Sequence, residues 1–235
     1  MTAHPCDRRC CALMSWFPLL GWFPLLGCAS SYEPGIQVEL ISHESGELEQ
    51  STARGVVKID ELSWTSSEIE LERCTSALAQ AWDWLVPSAQ AHGISTPTRL
   101  AVPTIVDANA PTSLGELAPP AGRYCSVRYR VAPADDDALG LGAAPDLRGA
   151  SLRSSGELEP AGSASSSWSL QSQRSFELSR ELDLELSADQ LHARLSFGLD
   201  AQRFREAVSI GWFEAVAREE VLIEAFRAAF QVGVE

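Results

Sequence analysis

Lysine is nearly missing from this chain: Lys58 stands alone beside 17 arginines. The 18 basic residues face 32 acidic ones over 235 residues, for a formal net charge of −14. That balance excludes duplex or single-stranded nucleic acid as a partner, because phosphate binding needs a basic surface. Methionine occurs only as Met1 and Met14, and beyond the N-terminal segment histidine occurs only as His43, His92 and His192. None of these histidines shows the H-x-x-x-H or H-E-x-x-H spacing of a local zinc site. The chain has no G-x-S-x-G elbow, no phosphate loop and no dinucleotide fingerprint. Its apolar run Ala12–Gly27 is sixteen residues long and carries Pro18 and Pro24, short of the ~20 residues of a transmembrane helix and broken by proline. What remains is a chain with 45% hydrophobic and 21% charged residues, enough for a real core. Its 16 glycines and 13 prolines indicate many loops.

The N-terminus reads as an export signal: Arg8 and Arg9 precede the uncharged run, which holds the tandem repeat WFPLLG at Trp16–Gly21 and Trp22–Gly27. The run ends in Leu25-Leu26-Gly27-Cys28, followed by Ala29-Ser30-Ser31. This resembles the lipobox of bacterial lipoproteins. The resemblance implies cleavage before Cys28, diacylation of its thiol and a third chain on its amine. Ala29 stands where an inner-membrane retention signal would place Asp, so the resemblance also implies the outer membrane of a Gram-negative envelope. The alternative is an ordinary secretory signal cut near Ala29. The expected organisation is a signal peptide over 1–27, a tether over 28–35 and a single β-rich domain over 36–235. Processing would remove Asp7, Arg8 and Arg9 and take the net charge from −14 to −15. Anionic headgroups would repel such a domain. The membrane partner would then be held by acyl chains, at ~0.8 kcal/mol per buried methylene.

Cysteine usage follows from the same reading. Cys6, Cys10 and Cys11 leave with the signal and Cys28 takes lipid, so Cys74 and Cys125 remain for an oxidising compartment. A disulfide between them is the expectation. The alternative, a metal-binding or redox thiol pair, lacks a C-x-x-C spacing or an adjacent histidine.

Along the chain, period-two alternation dominates. Ile36, Val38 and Leu40 mark a first strand, and 43–54 reads as a loop. Val57 and Ile59 share one parity and Leu62 and Trp64 the other, which predicts a bulge or bend near Asp60-Glu61. Glu68 to Glu72 alternate charged and apolar residues. Leu78, Trp82 and Leu85 fall at helical spacing before Pro87. A strand is expected at Arg99–Asp107 within a proline-rich region. Tyr124–Val131 reads as a strand with Cys125, Val127, Tyr129 and Val131 on the core face. Residues 132–167, acidic and then Gly- and Ser-rich, read equally as a domain linker or as a long connection with strand character near Leu147–Leu158. Phe176, Leu178, Leu182, Leu184 and Leu186, then Leu195, Phe197 and Leu199, continue the alternation. Trp212, Val216, Ile223, Phe226 and Phe230 form an amphipathic helical stripe. The fold class is mainly β: an antiparallel β-sandwich-like domain with one or two peripheral helices, including a C-terminal amphipathic helix.

Candidate chemistry is sparse. Asp135-Asp136-Asp137, followed by Gly140 and Gly142, offers hard oxygen ligands for calcium but lacks the order of an EF-hand loop, and reads rather as a solvated turn. His92 is the best single metal ligand. Trp82 and Trp84 offer either a stacking platform or core. Glu68, Glu70 and Glu72, with Glu177, Glu181 and Glu185, supply carboxylates for a hydrolase, yet sit on strand faces expected to be open. The succession of early strands, Cys74, Ala91-His92, Gly122-Arg123-Tyr124-Cys125 and a β-rich second half is similar to secreted myxobacterial-type lipoproteins and, more distantly, to MbnP-like copper-binding proteins. That resemblance implies a periplasmic β-rich domain, copper as cofactor and His92 as a ligand. The leading expectation is a non-enzymatic, lipid-anchored binding or structural module that uses no cofactor and meets an envelope protein or small ligand. The alternatives are a periplasmic copper-binding protein and, third, an envelope hydrolase.

Overall fold

A 19-residue strand, β3 (Gly55–Arg73), organises the computed structural model. The structure describes residues 37–43, 48–74, 96–187, 192–211 and 218–235. Residues 34–235 cluster as one unit. The expected helical turn at Leu78–Leu85, Trp82, Trp84 and His92 lie outside the described residues, as do Cys28 and the rest of the N-terminal segment.

Around β3 runs an eight-stranded antiparallel sheet. β7 (Gly122–Val131) lies between β3 and β10 (Phe176–Leu186), and β8 (Leu152–Pro160) lies between β3 and β9 (Ser166–Ser172). β2 (Leu48–Thr52), β4 (Arg99–Leu100) and β5 (Thr104–Asp107) also pair with β3. β8 follows β3 from Gly55 to Trp64 and β7 follows it from Ser66 to Arg73, so a single strand joins two halves of the sheet. The second, four-stranded sheet has β1 (Gln37–Ser42) between β6 (Thr112–Leu117) and β11 (His192–Leu199), with β12 (Phe230–Val234) on the far side of β11. Within it β1 and β11 run parallel, the one departure from antiparallel pairing between these strands.

Bulges keep the apolar parity of β3 pointing inward. Val57 and Ile59 are buried, the register shifts at Asp60, and Leu62 and Trp64 take over on the other parity. The sequence alternation predicts this bulge. A second shift at Ser67 restores odd parity, so Ile69 and Leu71 are buried. The change of parity from Trp64 to Ile69 carried the same signal.

Three expectations are corrected. The stretch 43–54 contains strand β2, which forms a hairpin with β3. Cys125 does not face the core. A bulge in β7 leaves it unpaired between Tyr124 and Ser126, so Tyr124 turns inward and Cys125 is exposed. The helical stripe ends before Phe230, which opens strand β12 and pairs with Leu199. Trp212 and Val216, from the same stripe, lie outside the described residues.

Among the described residues the helices are α1 (Ala201–Gly211) and α2 (Arg218–Ala229). Phe204, Val208, Leu222, Ile223 and Phe226 are buried and belong to the main core. Phe226 meets Trp64 of β3 edge-on at 5.1 Å and Phe176 of β10 at 5.6 Å. Tyr129 of β7 lies 5.3 Å from Phe197 of β11 and 4.7 Å from Phe230 of β12. The aromatic cluster therefore ties large sheet, small sheet and helix together. Edge-on and tilted ring pairs contribute ~1 kcal/mol each beyond their buried area. At its centre Trp64 Nε1 donates to Tyr129 Oη at 2.9 Å, which satisfies two polar groups that burial would otherwise penalise.

The segment 132–151 is ordered and folds back over β3 and β5. Ala134, Ala138, Leu141, Leu147 and Ala150 pack with Ile105 into a small second core. Thr65, fully buried, donates to Ala150 O, and Ile105 N donates to Leu139 O. The Ser-rich stretch beyond it is sheet: β8 and β9 pair in unbroken register from Leu152↔Ser172 to Leu158↔Ser166.

Burial raises the Tyr129 hydroxyl to about 12, more than the hydrogen bonds to Ser66 and Trp64 lower it. A raised folded value means that Tyr129 contributes fully below the unfolded value near 10 and that the contribution is lost as pH climbs towards 12. Two units correspond to about 3 kcal/mol. Denaturant midpoints measured from pH 9 to pH 12 are expected to fall steeply above pH ~10. Tyr129→Phe should flatten that fall while costing about 1–3 kcal/mol at neutral pH through the orphaned Trp64 N–H.

Candidate functional site

The outer face of the small sheet carries a polar furrow. Cross-strand pairing sets its rows: Glu39 of β1 lies beside Arg194 of β11 on one side and Glu116 of β6 on the other. Arg194 in turn sits opposite Glu235, which continues the line of β12. Arg194 Nη2 and Nε both lie 2.9 Å from Glu39 Oε2, and Nη1 lies 3.7 Å from Glu235. Hydrogen bonding to Glu39, then its charge, holds the Arg194 guanidinium above its ordinary pKa. With Gln37, His192 and Ala193 these residues line an open groove of about 470 Å³.

A second groove of about 210 Å³ continues along β11 and β12, lined by His43, Ser196, Gly198, Leu199, Gln231, Val232 and Gly233. Its floor is low because the residues there are small. A Cβ on Gly233 would lie 2.5 Å from Ser196 Oγ, and one on Gly198 would lie 3.6 Å from His43 Cβ. His43 Nε2 stands 3.3 Å from Glu235 Oε1, so this pair links the two grooves. The arrangement offers hydrogen-bond donors and acceptors on a broad open surface. His192 lines the first groove and His43 the second. Among the described residues no group of three His, Cys, Asp or Glu side chains is placed to hold a metal ion.

Asp135, Asp136 and Asp137 are exposed and sit in a turn closed by Ala138 N donating to Asp135 O. Asp136 pairs with Arg148 at 3.3 Å. The three carboxylates lie exposed at this turn.

Cys74 and Cys125 are joined as a disulfide, with Cα atoms 4.8 Å apart. Cys74 N also donates to Arg123 O, so the bond reinforces the point where β3 ends beside β7.

The carboxylates of β3 are less open than their alternation suggests, whereas those of β10 are exposed as expected. Glu68 pairs with Arg99 (Nε to Oε1 and Nη2 to Oε2, both 2.8 Å), where side-chain exposures are only 16% and 20%. Arg128 faces Glu70 and Glu177, both at 3.2 Å, and Glu72. Arg123 holds Asp183 at 2.9 Å. Cross-strand register explains the pattern: Glu70 lies opposite Arg128 and Glu68 opposite Arg130. This is an ion ladder on the outer face of the large sheet, with each of these acids matched to a guanidinium.

No family model matches the chain, and comparison with curated proteins and with solved structures finds no match either. The furrow therefore stands on its geometry alone. Its residues were invisible as a group in the sequence. Glu39 and Arg194 are 155 positions apart and meet only because β1 and β11 pair in parallel.

Reducing Cys74–Cys125 reopens a span of 51 residues, which should lower stability by about 4 kcal/mol in the chain-entropy estimate. Urea unfolding with and without reductant, beside Cys74→Ser, measures it. Removing Arg128 leaves Glu70, Glu72 and Glu177 facing one another. Arg128→Leu is expected to lower the melting temperature at low salt by about 1 kcal/mol equivalent, a loss that added salt should partly screen.

Proposed function

We propose that the protein is a membrane-anchored envelope lipoprotein whose folded domain acts as a non-enzymatic binding or structural module. The observation that carries this reading is the segment Leu25-Leu26-Gly27-Cys28, placed directly before a short polar stretch that leads into β1 at Gln37. Residues 29–35 reach at most about 25 Å when extended, so lipid on Cys28 would hold the domain close to its membrane. The disulfide accords with an oxidising compartment. The binding role is assigned to the small-sheet furrow, whose charged groups are fixed by one another and whose floor is kept open by Ser196, Gly198 and Gly233. The carboxylates of the ladder are committed to arginines, which supports a non-catalytic reading of that face.

The scarcity of lysine gives a sharp test. A chain cleaved before Cys28 and acylated on its amine would keep one reactive amine, Lys58, whereas a free N-terminus adds a second. Lys58 lies 2.8 Å from Asp60, and the hydrogen bond between them raises its pKa, so labelling is done on denatured protein. Intact mass spectrometry of native membranes is expected to show one labelled amine and the mass of the acyl chains. Cys28→Ser should move the protein out of the membrane fraction. Retention of that variant in membranes would overturn the anchor, and copper bound at near 1:1 in the native spectrum would overturn the module reading in favour of metal carriage.

A further inference from the structure

We propose that the outer edge of β9 is a pairing site for β9 of a second copy of this chain, antiparallel about Ser169. Exposed sheet edges are templates for strand addition, and proteins guard them with charges, bulges, covering groups or short strands. Three of the four edge strands that end the two sheets are guarded here. β10 carries Glu177, Glu181, Asp183 and Glu185. It also places Arg180 on its inner parity, where the guanidinium reaches round to Phe230 O at 3.0 Å and to Arg227 O. β12 is five residues long, and that same contact occupies its Phe230 carbonyl. β6 is kinked by a bulge at Leu114 and carries Glu116.

Among the described residues, β9 shows none of these devices along Ser166–Gln171. Its seven residues, SSWSLQS, contain no charge and no proline, and their register with β8 is unbroken. They lie within an uncharged run from Pro160 to Gln173, in a chain of 32 acidic residues. The C-terminal end of the strand is held: Gln171 Nε2 donates to Asp146 O, and Ser172 Oγ donates to Glu219. The edge is thus straight, fixed and electrically neutral.

A second copy suits this edge better than a charged partner. Ser172 is buried, so the accessible edge runs from Ser166 to Gln171, and pairing about Ser169 sets Ser167 against Gln171 of the other copy and Trp168 against Leu170. Each pair is polar with polar or apolar with apolar, with no like charges directly opposed.

Ser169 is exposed, so it can be changed without touching the core. In Ser169→Cys the twofold places the two introduced thiols directly opposite, within disulfide reach. Ser155 is the register neighbour of Ser169 on β8, and Ser155→Cys serves as control. Its counterpart would lie three strand spacings away, ~14 Å, too far to bridge. Full-length protein is oxidised in membranes and digested with trypsin. Each variant cysteine then lies in the fragment 154–174, which contains no other cysteine. The proposal expects this fragment linked to itself for Ser169→Cys and not for Ser155→Cys. It also expects full-length protein in detergent micelles to sediment as a dimer, and Ser169→Lys, with unchanged thermal unfolding, to sediment as a monomer. No linked fragment, equal linkage from both cysteine variants, or a dimer that survives Ser169→Lys would each overturn it.

Discussion

The hydrogen bond from Trp64 to Tyr129, buried among aromatic rings, is the point at which every layer of this fold meets. Trp64 lies on β3 between its two bulges, where pairing passes from β8 towards β7. Tyr129 touches the small sheet through Phe197 and Phe230. Trp64 touches helix α2 through Phe226. If either bulge were removed, the residues beyond it would turn to the opposite face, because side chains alternate with a period of two. The bulges are what allow one strand to serve both halves of the large sheet without exposing its apolar residues.

Charge is handled by the same register logic. The chain is strongly acidic, yet many of its carboxylates do not stand alone. Register places arginines beside acids on the outer face of the large sheet and again on the small one. Individual exposed pairs contribute little, but a fixed array gives each face a defined hydrogen-bonding pattern. On the large sheet the array is a ladder spanning β3, β7 and β10. On the small sheet it borders a furrow, because three small residues leave the floor low. The same chemistry thus yields a closed face and an open one, depending on side-chain bulk next to the charges.

Much of the β architecture could be read directly from alternation. The parity switch between Ile59 and Leu62 announced the Asp60 bulge, and the runs Phe176–Leu186 and Leu195–Leu199 named their own buried faces. Cys125 was misplaced because its neighbours Val127, Tyr129 and Val131 alternate cleanly, and extending that parity by one step ignores the bulge that leaves Cys125 unpaired between Tyr124 and Ser126. β2 escaped notice because its polar sequence, LEQST, shows no apolar alternation and is held by its hairpin with β3. Phe230 fits a helical stripe locally but pairs with Leu199, a contact no local pattern records.

The sequence by itself determined the acidic charge and the predominance of half-buried strands. These are local or compositional properties, set by neighbours within a few residues. Only the tertiary structure decided which strands pair, that β1 and β11 run parallel, that the acids of β3 meet arginines, and that a furrow opens beside Arg194. Those outcomes depend on contacts between residues far apart in the chain, where backbone hydrogen bonding fixes register and register then decides which side chains share a face.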